Sequence, residues 1–179
     1  MKPLKLYNFP LTLAVLAAVF LFQGCLRDRC DMSYTYAKYS PVYMSQAEFE
    51  NAVSVQPARA IVNPGKIFVK DAFLFVNETG KGVHIFDNKN PAQPQALAFL
   101  SVPGTYELAF NCDNLILDSS TDLLVFDMSN PQSPELVSRT RNSLPGLSEY
   151  KGFVADPSKG VVVEWIREIV TEKYDCEAG

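Results

Sequence analysis

From residue 64 to residue 140 the apolar positions come in short runs, and each run is closed by a cluster of Gly, Pro, Asn, Asp or Ser. KIFVK, FLFVN, GVHIFD and QALAFLSV make one set, connected by Asp71-Ala72, ETGK and NKNPAQP. YELAF, LILD, LLVFD and ELVSRT make a second, connected by NCDN, SSTD and MSNPQSP. Runs of this length, rich in β-branched and aromatic residues and bounded by turn formers, predict strands joined by hairpins. The two sets also share a phrase. Residues 83–94 read VHIFDNKNPAQP and residues 123–134 read LLVFDMSNPQSP.

The shared phrase has a mechanical reading. Val83, Ile85 and Phe86, like Leu123, Val125 and Phe126, form a nearly continuous apolar strand, as expected where both faces are covered. Asp87 and Asp127 then end the strand, because a short carboxylate can accept a backbone N–H one or two residues ahead. Asn90-Pro91 and Asn130-Pro131 continue the bend, since proline fixes φ and withholds a ladder donor. These six residues are structural turn positions; a cation-binding or catalytic role for the two aspartates is the minor alternative.

A module of about 40 residues with four up-and-down strands has the period and strand count of a propeller blade. A third copy begins at KGFVADPSKGVVVEWI, where Lys159-Gly160-Val161 matches Lys81-Gly82-Val83, but Glu164-Trp165 replaces Phe-Asp and no Asn-Pro turn follows. The expected fold is therefore all-β: an incomplete, propeller-like array of about two and two-thirds four-stranded antiparallel repeats. The boundaries are residues 65–104, 105–146 and a partial 147–179, after a leader at 25–64. In that leader Ser45 and Glu48 have capping-box spacing and Phe49, Ala52 and Val53 share one helical face, which predicts a short helix over about 45–54. Tyr34, Tyr36, Tyr39 and Tyr43 lie in an extended stretch and are expected to pack on the domain rather than to bind sugar. Propellers need four to eight blades, so one chain cannot close a ring. It forms an open arc, completes a ring with a second copy, or is a truncated form of a longer array. Truncation leads, and open blade edges invite self-association.

Composition adds an address. Lys2 and Lys5 precede an uncharged run from Phe9 to Phe22, followed by Gln-Gly-Cys, the order of an export signal at residues 1–24. The run is shorter than the roughly 20 residues a spanning helix needs. LFQGC, ending at Cys25, resembles the lipobox of bacterial lipoproteins. That resemblance implies cleavage before Cys25, lipid on its thiol and a membrane anchor through the lipid. Loss of residues 1–24 removes two lysines and no acids, taking the formal charge from −4 to −6. An acidic chain of this kind lacks the footprint of a nucleic-acid binder. Of the remaining cysteines, a Cys30–Cys176 disulfide would tie the ends of the mature chain, Cys112 offers two other pairings, and unbonded thiols are an equal alternative.

No catalytic, cofactor or metal site emerges from the motifs. His84 is the single histidine and its counterpart is Leu124, so it reads as a packed or edge-facing side chain. Gly80-Lys81-Gly82 lacks phosphate-loop spacing, and DSSTD, with Asp118 and Asp122, lacks the spacing of a calcium loop. Glu107, Glu135, Glu149 and Glu164 are carboxylates available to a glycan-active enzyme, with nothing to select a pair. VHIFDNKNP and LLVFDMSNP resemble LVIVD repeats of exported bacterial and archaeal proteins, and CLRDRC, the tyrosine-rich leader and NPGKIFV extend the likeness to lipoproteins of Bacteroidota. The resemblance implies a propeller-like lipoprotein of the outer membrane, with surface exposure as a further step, that binds a protein or glycan partner without catalysis. A glycan-active enzyme component and a non-functional truncated fragment are the rivals.

Overall fold

The structure is a computed structural model, and it describes residues 32–174. Cys25, Cys30 and Cys176 lie outside the described residues. The chain is mostly β and its sheets are antiparallel. Strand β1 is Met32–Met44, helix α1 is Gln46–Asn51, and twelve further strands follow: β2 (Ser54–Pro57), β3 (Pro64–Lys70), β4 (Phe73–Glu78), β5 (Gly82–Asp87), β6 (Gln95–Ser101), β7 (Leu108–Asn111), β8 (Asn114–Ser119), β9 (Asp122–Asp127), β10 (Glu135–Thr140), β11 (Glu149–Tyr150), β12 (Phe153–Val154) and β13 (Val161–Tyr174). Contacts divide the chain into a small unit, of which residues 32–36 and 169–174 are described, and a large unit, Ala37–Glu168. In the small unit the Thr35 and Thr171 hydroxyls lie 2.9 Å apart and the Tyr36 hydroxyl donates to Glu172 Oε1 at 2.8 Å.

Two sheets make up most of the large unit. The first has the order β2-β6-β5-β4-β3 and the second β10-β9-β8-β7. Strands β3 to β6 match β7 to β10 in order and pairing. Each opening hairpin turns on a residue with φ of 53°, Asp71 and Cys112. Each closing pair carries a bulge, at Leu97 opposite β5 and at Val137 opposite β9, forty residues apart. The middle turn differs, Thr79-Gly80-Lys81 in the first copy and Ser120-Thr121 in the second, and β3 carries a register shift against β4 at Pro64–Ile67 that β7 lacks. The spacing between equivalent residues is therefore 41 before this turn and 40 after it, so Phe75 corresponds to Ile116 and Val76 to Leu117, while His84 corresponds to Leu124.

That bookkeeping fixes how the sheets stack. The buried core draws Phe75, Val83, Ile85, Ala98 and Leu100 from the first sheet and Leu115, Leu117, Leu124, Phe126 and Met128 from the second. The second set corresponds to Leu74, Val76, His84 and Phe86, which lie on the opposite face of the first sheet. Opposite faces of equivalent sheets meet, as in a stack in which every module faces the same way. Phe110 joins the halves, its ring 4.8 Å from Phe75 and 5.0 Å from Phe68. Burying side chains of this size contributes about 1.5–3 kcal/mol each.

Burial along the two repeated strands differs from the sequence expectation in one respect. Gly82 to Ile85 of β5 are all buried, but β9 alternates between buried and half-buried residues. The reason is that the outer face of the second sheet has only the Leu144–Leu147 segment over part of it.

The leader contributes more than a tether. Its β2 adds a fifth strand to the first sheet beside β6. Helix α1 begins with Ser45 Oγ accepting the Glu48 N–H and Glu48 Oε2 accepting the Ser45 N–H at 2.9 Å, and it buries Phe49. The third copy does not assemble a four-stranded sheet among the described residues. Its β11 and β12 form a separate hairpin, and β13 pairs with β1. Gly160 and Gly82 play the same part at the heads of β13 and β5: both have positive φ, and a Cβ would collide with the Met44 carbonyl oxygen in one case and the Leu100 carbonyl oxygen in the other. The strand position is thus kept while its hydrogen-bonding neighbour is supplied by the leader.

Candidate functional site

The six turn residues sit in two bends with the same hydrogen bonds. Asp87 Oδ1 accepts the Lys89 N–H at 2.9 Å and Asp127 Oδ1 accepts the Ser129 N–H at 2.7 Å. Asn90 Oδ1 accepts the Ala92 N–H, and Asn130 Oδ1 the Gln132 N–H, both at 3.2 Å. The Lys89 amide bond holds Asp87 below the usual carboxylate range, and the Ser129 hydroxyl and amide do the same for Asp127. Both carboxylates are thereby occupied in fixing the bend, with Pro91 and Pro131 following in exposed and half-buried positions.

Several other carboxylates are also internally paired, whereas the buried side-chain amide of Asn77 has no hydrogen-bond partner among the described residues. Asp118 accepts Thr105 Oγ1 and the amides of Tyr106 and Glu107, and burial nevertheless raises its carboxyl. Asp122 accepts Arg139 Nε at 2.7 Å, and the same guanidinium lies 4.9 Å above the Phe49 ring. Glu107 pairs with Lys66, and Glu164 with Lys81 at 2.5 Å. Asn77, whose sequence context is a glycosylation sequon, is wholly buried. Among the described residues no group of three or more His, Cys, Asp or Glu side chains is placed to hold a metal ion, and Cys112 is a free, exposed thiol.

One buried cluster escapes sequence reasoning. His84 Nε2 is 2.7 Å from Glu78 Oε2, with side chains 2% and 5% exposed, and Arg59 Nη2 donates to the same oxygen at 3.0 Å while lying 3.7 Å above the Phe99 ring. Burial pushes Glu78 upward, but the His84 bond and the Arg59 charge outweigh it, so its carboxyl is held below the ordinary value. The signal was the repeat itself: a histidine where copy two has leucine needs a partner, and Glu78 faces Gly82 across the same turn.

What the large unit offers to solvent is apolar surface. On the outer face of the first sheet Ile67 and Val69 of edge strand β3 are 65% and 57% exposed, beside half-buried Leu74 and Phe86. On the outer face of the second sheet Ala109 is exposed and Ile116, Leu123 and Val125 are half-buried. A groove of about 410 Å³ runs there between Ile116 and Leu123 on one side and Leu144, Pro145 and Leu147 on the other. A separate aromatic group gathers Tyr39, Tyr150, Phe153 and Trp165. Tyr39 is 5.1 Å from Tyr150, Tyr150 is 6.2 Å from Trp165, and Lys151 Nζ lies 5.3 Å over the Tyr39 ring.

Comparison with protein-family models, with curated proteins and with solved structures finds no match to this chain. No helix among the described residues is long and apolar enough to cross a membrane.

Proposed function

We propose that the chain is a lipid-anchored β-repeat protein of the cell envelope, attached through Cys25, whose propeller-like stack of sheets serves as a non-catalytic interaction module for a protein or glycan partner. The observation that carries the reading is the pair of partly open sheet faces, with Ile67 and Val69 exposed at the edge of one and Ala109 exposed beside half-buried Ile116 and Leu123 on the other. Contiguous apolar surface on a folded domain marks a place where something binds. The anchor rests on the signal-like segment ending in Gly24-Cys25, and the outer-membrane address on the resemblance to LVIVD-repeat lipoproteins. The glycan arm rests on Tyr39, Tyr150 and Trp165, since aromatic faces with a nearby polar tip suit sugar rings.

Acyl labelling of the full chain in a bacterial host tests the anchor: label is expected on the wild type and lost in Cys25→Ala, and label retained by Cys25→Ala overturns it. Binding to a polysaccharide panel tests the glycan arm, with Tyr150→Ala expected to weaken it. Turnover on that panel, abolished by a single Glu→Gln change, would replace this reading with the enzymatic one.

A further inference from the structure

We infer that the protein partner of the partly open sheet faces is a second copy of this chain, joined head to tail so that the second sheet of one copy stacks on the first sheet of the next. The inference deepens the interaction reading above and rests on the stacked-module part of it.

An interface of this kind already exists once inside the molecule, between its two sheets. The face of the first sheet that meets the second is built on Phe68, Phe75, Val83, Ile85, Ala98 and Leu100, and the equivalent positions on the second sheet are Ala109, Ile116, Leu123, Val125, Ser138 and Thr140, of which Ile116 and Leu123 share a groove with Leu144 and Leu147. Conversely, the second sheet meets the first through Leu108, Phe110, Leu115, Leu117, Leu124 and Phe126, whose equivalents on the first sheet are Ile67, Val69, Leu74, Val76, His84 and Phe86. All but His84 are apolar; Ile67 and Val69 are exposed, Leu74 and Phe86 are half-buried, and Val76 and His84 are buried. One chain therefore carries much of both halves of its own internal joint, open to solvent at Ile67 and Val69 on the first sheet and at Ala109 on the second. Two like faces have no such prior fit, so the surfaces favour a heterologous contact over a symmetric one. Such a contact closes a ring when its rotation allows and otherwise runs on. With two modules per chain, roughly two to four copies would complete a ring of ordinary blade number.

The internal joint also predicts the contact in atoms. Phe110 packs on Phe75 and Phe68, so Val69 of one copy is expected to meet Ile116 and Ala109 of the next. Arg59, lying over Phe99, covers only the part of the first face near His84 and leaves the Val69 end clear.

The test uses the full chain in its native membrane, with the photoreactive residue benzoylphenylalanine at Val69. The expected product is a dimer or larger adduct in which position 69 is linked to a peptide containing residues 109–125 of another copy. Ala109→Glu, at an exposed position, should cut the yield roughly tenfold, because it sets an unpaired charge in an apolar joint. A link from 69 to the same face of another copy, to a different protein, or to nothing overturns the inference. A parallel chain with benzoylphenylalanine at Phe110 reports on the underlying reading. A link within the chain to the peptide containing Phe75 keeps the stacked sheets even if the assembly fails, and absence of that link removes both.

Discussion

His84 and Glu78 face each other across a single turn, Nε2 to Oε2 at 2.7 Å, and both are sealed from water. A buried acceptor that loses its partner is costly, and a buried charge more so. Glu78→Ala is expected to cost about 3 kcal/mol, because it strips both His84 and Arg59 of their shared oxygen. His84→Leu should cost only about 1–2 kcal/mol, since leucine is what copy two carries and Glu78 keeps Arg59. Urea titrations at neutral pH decide the order, and a larger loss for His84→Leu would contradict it.

The stacking arrangement makes a contrast between equivalent residues. Phe75→Ala empties a core position and should cost about 3–5 kcal/mol, while Ile116→Ala, its counterpart on the partly open face, should cost less than about 1.5 kcal/mol. Equal losses in chemical denaturation would mean that the same face is buried in both sheets.

Asp122 and Arg139 form a second interior pair, 2% and 10% exposed, and Arg139 Nη2 has no hydrogen-bond partner among the described residues. Asp122→Ala leaves the guanidinium buried without its counter-charge and also frees the Asn142 amide. A loss of about 3–5 kcal/mol is expected, measurable as a drop in the denaturation midpoint without change in its slope.

Acid stability should depend on Glu50. The Arg141 guanidinium, aided by Gln46, holds its carboxyl at about 2 against an ordinary 4.5. Because the folded value is the lower one, the stabilisation is complete above pH 4.5 and disappears as the pH falls from there toward 2. Thermal midpoints across that window should fall less steeply for Glu50→Gln than for the wild type. Glu78, also held low, acts in the same direction.

The strands and bends were legible because their causes are local. Asp87, Asn90, Asp127 and Asn130 bond amides two residues ahead, and the apolar runs fall on the strands they predict apart from Tyr106, Glu107 and Val102, which lie just outside β7 and β6. What escaped was everything decided by pairing at long range. Nothing in SVQP announces a fifth strand beside β6, and nothing in the tyrosine-rich leader announces that β1 will neighbour β13. The alternation in β9 was missed because periodicity cannot tell a face that is covered from one awaiting a cover. The Glu78–His84–Arg59 cluster needed three side chains from separate segments, which only the folded chain brings within bonding distance.

The one-residue difference between Thr79-Gly80-Lys81 and Ser120-Thr121 sits in a bend, where it alters no strand's facing. The same slip inside β5 or β9 would turn every later side chain of that strand inside out. Evolution can therefore lengthen or shorten such a chain cheaply only in whole modules or at its bends. A duplication of one forty-residue segment would keep four strands and their bends together, whereas a duplication of half a segment would split a hairpin set.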